Sequence, residues 1–117
     1  SSTSRGLGDV YKRQNLSYAK IPLFEGVEAL LEQGLCPAGT RRNLETAAPL
    51  TEFSASISST HQLLSADAQT SGGLLMAVPE ANLEALMTEL KENMVANCAV
   101  VGQVVRSLQP AAIQVGY

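Results

Sequence analysis

The residues best suited to chemistry stand together in one stretch, 67–73, with the sequence DAQTSGG. Hydroxyl groups and free backbone N–H groups can donate hydrogen bonds to an anion such as a phosphate. Paired glycines also allow a positive φ and a close approach by another group. We predict an anion-contacting loop, although the same residue types are typical of an ordinary turn. The predicted contacts are Gln69, Thr70, Ser71, Gly72 and Gly73.

A second polar stretch, PAGTRRN at 37–43, carries two adjacent arginines and is predicted to be a loop. A guanidinium group can pair with two phosphate oxygens at once, so Arg41 or Arg42 could contact an anion. The alternative is a surface loop in which both side chains are solvated.

The remaining reactive residue types give weaker signals. His61 has no carboxylate or cysteine beside it in the sequence, which favours a surface or structural role. Cys36 and Cys98 lie 62 positions apart, without the paired spacing of a zinc site. Neither cysteine has a neighbouring base, so we expect inert thiols and no metal site.

An apolar run follows the polar loop and must position it. Residues 74–78, LLMAV, are uninterrupted and end at Pro79. A short apolar run bounded by turn residues is typical of a strand buried on both faces. We therefore predict a core strand over 74–78, with the polar loop directly before its first residue.

Helical periodicity marks three further segments. Residues 25–33 have apolar side chains on one face and Gly34 after the last turn. A longer helix is predicted after Pro79, and a short one over 60–66. The helix after Pro79 carries apolar residues at helical spacing, namely Leu83, Leu86, Met87, Leu90 and Met94.

Strands are predicted at 15–22, 98–105 and 111–117, with a short one near 52–56. Gly102 is predicted to be a bulge or a crossing point. The last four elements are expected to form a β-α-β-β unit, with a right-handed crossover followed by a hairpin. The predicted fold class is α+β, an α/β sandwich with a small mixed sheet and helices packed on it.

Length and composition restrict the class of protein. The 117 residues allow one domain or less. A net charge of -3 gives no broad basic surface, so no nucleic-acid partner is expected. No apolar run is long enough to span a bilayer, and no secretory signal is present. We expect a soluble, cytoplasmic protein without a membrane partner.

Residues 1–14 differ from the rest of the chain. Their sequence, SSTSRGLGDVYKRQ, has no periodicity of either kind and looks like translated sequencing-adapter read-through. We predict a non-native or disordered tail over 1–14 and exclude it from the fold prediction. A mobile native arm is the alternative.

Residues 67–79, DAQTSGGLLMAVP, resemble the Asp-Pro-Gln-Thr-Ser-Gly-Gly-Leu-Leu signature of selenophosphate synthetases (selenide, water dikinases). PAGTRRN is similar to the Pro-Gly-Gly-Thr-x-x-Asn motif of that family. EGVEALLEQG and AVVGQVV fall in matching places, so the resemblance covers 15–117. Ala68 replaces the family's Pro, which is expected to loosen the loop, and Ala38 replaces a Gly.

The resemblance implies an activity for a longer parent protein. The family converts selenide, ATP and water to selenophosphate, AMP and orthophosphate with Mg²⁺, for selenoprotein and seleno-tRNA synthesis. Residues 15–117 would be a partial C-terminal domain of the type shared with aminoimidazole ribonucleotide synthetase. The implied partner is an N-terminal ATP-binding domain of the same chain, in a homodimeric enzyme.

The resemblance assigns no catalytic or metal-binding residue to this chain. The family's catalytic Cys or selenocysteine, its Lys and its metal-binding aspartates all lie upstream, so the fragment is expected to be inactive. We expect Thr40 and Asn43 to line the phosphate side together with residues 69–73. Asp67 is expected to brace the loop as a hydrogen-bond acceptor, because a single carboxylate makes a poor Mg²⁺ site.

Two other interpretations stay open. One is another member of the same superfamily, such as a hydrogenase maturation protein or a thiamine-monophosphate kinase. The other is a non-catalytic α+β binding domain in which residues 69–73 form only a turn. The two combined motifs count against the first of these, and the sequence upstream of this chain would separate all three interpretations.

Overall fold

The structure, a computed structural model, describes residues 11–117. Within this range the chain forms a sheet of four strands with helices, which confirms the α+β class. The strands are β1 (Tyr11–Ser17), β2 (Thr51–Phe53), β3 (Gly102–Ser107) and β4 (Ile113–Gly116). The α-helices are α1 (Val27–Glu32), α2 (Ala38–Ala47), α3 (Ser59–Ser65) and α4 (Glu80–Glu92), with 3-10 turns at Tyr18–Lys20 and Ala48–Leu50.

The sheet is mixed and has the strand order β2-β4-β1-β3. β1 runs parallel to β4 and antiparallel to β3, and β2 runs parallel to β4. The predicted hairpin between the last two strands is therefore wrong. β1 lies between β3 and β4 and pairs with both of them, so these two strands do not pair with each other.

The predicted core strand at 74–78 is also wrong. Residues 74–78 form no strand, and the side chains of Leu74, Leu75 and Met76 are 82%, 64% and 46% exposed. A strand forms only where a neighbour accepts its backbone hydrogen bonds. The sheet pairings found within residues 11–117 give this run no such neighbour, so the β-α-β-β unit lacks its first strand.

The loop predicted over 37–43 is mostly helix, because α2 begins at Ala38. Pro37 precedes the first helical residue in an extended conformation (φ -60°, ψ 145°). Proline is tolerated at the start of a helix, where its missing N–H would have no intrahelical acceptor. Arginine, leucine, glutamate and alanine then continue it, and all four are good helix formers.

The three predicted helices are confirmed as α1, α3 and α4. Gly34 follows α1 with a φ of +83°, the left-handed conformation that favours glycine at a helix end. Pro79 lies at the N-cap of α4 rather than within its first turn. Local periodicity was enough to predict each of these elements.

Strand boundaries differ more from prediction. β1 ends at Ser17, where a 3-10 turn replaces the end of the predicted strand 15–22. β3 begins at Gly102, four residues later than predicted, and β2 and β4 are shorter than the segments proposed for them.

The boundary proposed at residue 14 does not coincide with an element boundary. Residues 11–14 belong to β1 and pair with β3. Arg13 is buried, and its guanidinium donates to the side chains of Gln109 and Gln114. Residues 1–10 lie outside the described residues, so the foreign origin of the segment stays a prediction.

The core lies between one face of the sheet and the helices. Its buried side chains are Tyr18, Leu31, Ile57, Leu64 and Val115, against which Leu16, Val27, Cys36, Phe53 and Ile113 pack. Helix α3 contacts both α1 and α2 and so connects these two helices. No helix in residues 11–117 is both long and apolar enough to cross a membrane.

Candidate functional site

Thr40 holds α2 against the segment that leads into the polar loop. Its side chain is fully buried, and its hydroxyl donates a hydrogen bond of 2.9 Å to Asp67 Oδ1. The same Thr40 oxygen accepts a hydrogen bond of 3.0 Å from the backbone N–H of Ala68. One hydroxyl therefore fixes two consecutive residues, and Asp67 acts as the predicted acceptor.

Two further contacts strengthen this attachment. Asn43 lies one helical turn after Thr40, and its Nδ2 donates to the Ala66 carbonyl at 3.1 Å. A Cβ added to Gly39 would lie 3.3 Å from Ala68 Cβ, so glycine allows α2 to approach closely. We call the contacts of Thr40 and Asn43 with residues 66–68 the α2 clamp.

Ala68 contributes a backbone hydrogen bond to the α2 clamp that proline could not make. The resemblance predicted a looser loop, because the family has Pro where this chain has Ala68. Proline has no backbone N–H to donate. In this chain the alanine N–H is bonded to Thr40, so the substitution supplies a hydrogen bond in place of a rigid φ angle.

The loop beyond the clamp, residues 69–73, is exposed throughout. Gln69 Nε2 lies 3.5 Å from Asp67 Oδ2, and no hydrogen bond within residues 11–117 engages the hydroxyls of Thr70 or Ser71. Neither glycine of the loop is among the positive-φ residues, so the loop does not use that conformational freedom here. A Cβ on Gly73 would meet nothing within 4 Å, which leaves its backbone open to another molecule.

The structure thus divides the predicted site residues into two groups. Residues 69–73 offer free donors at the surface, whereas Thr40 is buried and its hydroxyl is engaged on both sides. Thr40 can act on a ligand only by positioning the loop. Arg41 and Arg42, the other anion-binding candidates, are exposed on α2.

A cavity of about 370 Å³, which sequence reasoning missed, lies beside the clamp. Its walls are mostly apolar and include Leu44 of α2, with Asn43 and Asp67 contributing polar groups. Because its residues come from elements far apart in the chain, no local sequence signal marks it. The apolar lining does not suit a phosphate, so contact with an anion stays a prediction for residues 69–73.

The residues at the loop do not form a cation site. Asp67 has one carboxylate oxygen committed to Thr40, and Mg²⁺ favours several oxygen ligands. Within residues 11–117 no group of three His, Cys, Asp or Glu side chains is placed to hold a metal ion.

A second polar cluster surrounds His61 on α3. His61 Nε2 lies 2.5 Å from Glu28 Oε2, and its Nδ1 lies 2.6 Å from the Tyr117 hydroxyl. The imidazole also stacks on the Tyr18 ring, with 4.2 Å between ring centroids. The carboxylate partner, absent near His61 in sequence, is supplied by α1. This network links α1 and α3 to the end of the chain and supports the structural role.

The Tyr18 hydroxyl makes the stability of the protein depend on pH in the alkaline range. Burial, together with the hydrogen bond and charge of Glu28, raises the pKa of Tyr18 above its usual 10.0. A raised pKa means that folding favours the neutral hydroxyl. The stabilisation is therefore complete below pH 10 and is lost as the pH rises towards the folded-state pKa, at up to about 1.4 kcal/mol per pH unit.

Replacing Tyr18 by phenylalanine should remove this extra dependence on pH. Denaturant unfolding at several pH values on both sides of 10 measures the free energy of unfolding for both proteins. We expect the Tyr18→Phe curve to fall less steeply above pH 10 than that of the wild type. Equal slopes of the two curves would show that folding does not raise the pKa of the Tyr18 hydroxyl.

Comparison with known proteins gives a consistent group of relatives, although no protein-family model matches the chain. The chain is 29% identical over 99 residues to the selenide, water dikinase of Aliarcobacter butzleri, covering 85% of this chain and 29% of that protein. The chain is 39% identical over 105 residues to the selenide, water dikinase of Pseudomonas aeruginosa, and the match covers 86% of this chain and 28% of that protein. The Myxococcus xanthus protein is 42% identical over 67 residues.

The similarity to selenide, water dikinases that the motifs indicated is therefore confirmed. The chain spans less than a third of the length of these curated relatives.

Proposed function

We propose that this chain is the latter part of the C-terminal domain of a selenide, water dikinase. One observation carries the proposal: the two motifs that resemble the family contact each other in space. Thr40 and Asn43 of PAGTRRN bond to residues 66–68, directly before the QTSGG loop. Similarity to dikinases over most of the chain supports the same conclusion.

The proposed role of the chain is to bind the phosphate end of the substrate. Residues 69–73 donate hydrogen bonds from hydroxyl, amide and backbone groups, while Thr40 and Asn43 hold the loop in position. Phosphoryl transfer depends chiefly on positioning and on stabilising developing negative charge, which fixed donors supply. The parent enzyme would make selenophosphate, AMP and orthophosphate from selenide, ATP and water.

The rest of the reaction belongs, in this proposal, to the remainder of the parent. ATP and Mg²⁺ would be held by an N-terminal ATP-binding domain of the same polypeptide, in a homodimeric cytoplasmic enzyme. The engaged Asp67 carboxylate agrees with a metal held elsewhere. The 117-residue chain alone should form no AMP from ATP and selenide.

The loop's role can be tested in a complete dikinase that contains these residues. Changing Thr70→Ala together with Ser71→Ala removes two exposed hydroxyl donors. Loss of such donors typically slows an enzyme by about a hundredfold. We expect a fall in kcat of roughly that size with an almost unchanged thermal midpoint, since neither hydroxyl is bonded within the described residues.

Thr88→Ala, an exposed hydroxyl on α4, is the matched control and should leave both quantities unchanged. A large loss of stability with normal turnover would show that the loop is only a turn. Recovery of an intact source gene that begins near Asn15, with no nucleotide-binding region before it, would contradict the proposal as a whole.

A further inference from the structure

The cavity beside the α2 clamp is large enough to hold a small organic molecule. Its volume is about 370 Å³. Pockets for small ligands typically measure about 300–1,000 Å³, and an apolar cavity of about 150 Å³ already holds benzene. The cavity therefore has room for a ring system larger than benzene that carries a short side chain.

The walls of the cavity come from α2 on one side and from the sheet on the other. Leu44 and Ala47 line it from α2. The sheet contributes Leu16, Phe53, Ile113 and Val115. Among residues 11–117 the principal contacts of α2 are with α3 and with the 3-10 turn Ala48–Leu50. Leu44, Ala47 and Phe53 are half-buried, as expected for side chains that border a cavity between the helix and the sheet.

Asp67 gives this cavity a negative charge. It is half-buried, and of the residues within 11–117 that line the cavity it alone is charged. Its Oδ1 accepts from Thr40, whereas the contact found for Oδ2 in that range is the amide of Gln69 at 3.5 Å. No ion pair in the described part of the chain includes Asp67. A carboxylate beside an apolar surface is stabilised by a cation that it can bind directly.

The apolar walls and the single carboxylate together favour one class of ligand. An apolar body gains free energy by leaving water for the cavity, and a protonated amine gains a charge-assisted hydrogen bond to Asp67. A rigid aromatic body loses little conformational freedom when it is enclosed, and Phe53 offers it an aromatic partner. An anion of the same shape would be repelled by the carboxylate.

We propose that this cavity binds an aromatic amine, with the ring between α2 and the sheet and the ammonium group on Asp67. Asn43 also lines the cavity, and its Nδ2 donates to the Ala66 carbonyl. Its Oδ1 is then a second acceptor for the ammonium group. Binding at this cavity is independent of the proposed function, because it requires no part of the phosphoryl-transfer reaction.

Three ligands with the same ring system and different charges test the proposal: tryptamine, indole and indole-3-acetate. The chain contains no tryptophan, so the fluorescence of an indole ring reports the ligand alone when tyrosine is not excited. Titration with the full 117-residue chain at neutral pH should show saturable, one-to-one binding of tryptamine. A ligand of this size is expected to have a Kd of about 1 mM or lower.

Indole should bind about tenfold more weakly than tryptamine, because it lacks the charged hydrogen bond to Asp67. Indole-3-acetate should bind more weakly than indole. No saturable binding of tryptamine would overturn the proposal, and so would an affinity for indole-3-acetate equal to that for tryptamine.

Asp67→Asn tests the contact with the ammonium group. Asparagine keeps an oxygen that can accept from Thr40 but removes the charge. The affinity for tryptamine should fall about tenfold, to that of indole, while the affinity for indole changes by less than about twofold. Glu45→Gln is the matched control, because it removes an exposed charge of α2 that does not line the cavity. If Glu45→Gln weakened tryptamine binding as much as Asp67→Asn, the assigned contact would be wrong.

Filling the cavity tests the position of the ring. Ala47→Phe places a ring in the same space and should weaken the binding of tryptamine and indole by about tenfold or more. Ala85→Phe, at an exposed position of α4, is the matched control and should leave both affinities unchanged. Circular dichroism verifies that each variant is folded, and Asp67→Asn, which adds no bulk, keeps the test decisive if Ala47→Phe does not fold. Undiminished binding by folded Ala47→Phe would contradict the proposed site.

Discussion

Replacing Gly102 by alanine is expected to separate β3 from β1 and to lower the free energy of unfolding by about 3 kcal/mol. A Cβ on this residue would lie 2.0 Å from the Asn15 carbonyl oxygen and 3.0 Å from Leu16 Cα. Both are backbone atoms of β1, which is held between β3 and β4. They cannot rotate away as a flexible side chain could, so the strands must move apart.

Denaturant unfolding of Gly102→Ala measures this loss directly. Gly73→Ala is the matched control, because a Cβ there would meet nothing within 4 Å and its φ is not positive. That change should be neutral, or stabilise the protein by about 0.4–1 kcal/mol through the unfolded chain. A Gly102→Ala protein as stable as the wild type would mean that β1 and β3 do not approach as closely as the structure shows.

Gly102 also shows what a single sequence can predict. Its place within a valine-rich strand predicted a bulge or a crossing point, and the structure places it against the β1 backbone. The partner strand was not predictable, because nothing near Gly102 in the sequence specifies β1. The same difficulty made the final hairpin wrong, since β1 separates β3 from β4.

Helices were easier to predict than strands for a physical reason. The signals for α1 and α4, an apolar face and a terminal glycine or proline, lie within the helices or directly beside them. The apolar run at 74–78 carried an equally clear strand signal, but a strand also needs a neighbour to accept its hydrogen bonds. That requirement depends on the rest of the fold, and the residues described here do not meet it.

The sequence predicted part of the arrangement of the candidate residues, whereas their contact with a ligand stays a prediction. Motif resemblance brought Thr40, Asn43 and residues 69–73 together, and the structure does place the first two beside the start of the loop. It could not show that Thr40 is buried, because α2 was predicted to be a loop. Burial changes the expected role of Thr40 from contacting a ligand to positioning the residues that do.

Thr40→Val should destabilise the chain by about 2–3 kcal/mol while preserving the shape of the side chain. Valine removes the hydroxyl that donates to Asp67 and accepts from the Ala68 N–H. Asp67 is half-buried and Ala68 is exposed, so most of the loss comes from the hydrogen bond to the Asp67 carboxylate, because a hydrogen bond to a charged group contributes about 1.5–3 kcal/mol. Threonine and valine are both β-branched, so helix propensity changes little.

Two further variants separate the clamp from general effects on α2. Thr46→Val makes the same substitution at an exposed position of the helix and should change stability by less than about 0.5 kcal/mol. Thr40→Ser keeps the hydroxyl and should retain most of the stability, apart from a small loss for the missing methyl group. If Thr40→Ser were as unstable as Thr40→Val, packing rather than the hydroxyl would hold α2 to residues 66–68.

The same pair of variants connects the clamp to catalysis in a complete dikinase that contains these residues. If Thr40 positions the loop, Thr40→Val should lower kcat more than it alters KM for ATP, measured well below the unfolding midpoint. Thr40→Ser should restore turnover, because it keeps both hydrogen bonds to the start of the loop. Normal turnover by folded Thr40→Val enzyme would show that the clamp stabilises the fold without positioning residues 69–73.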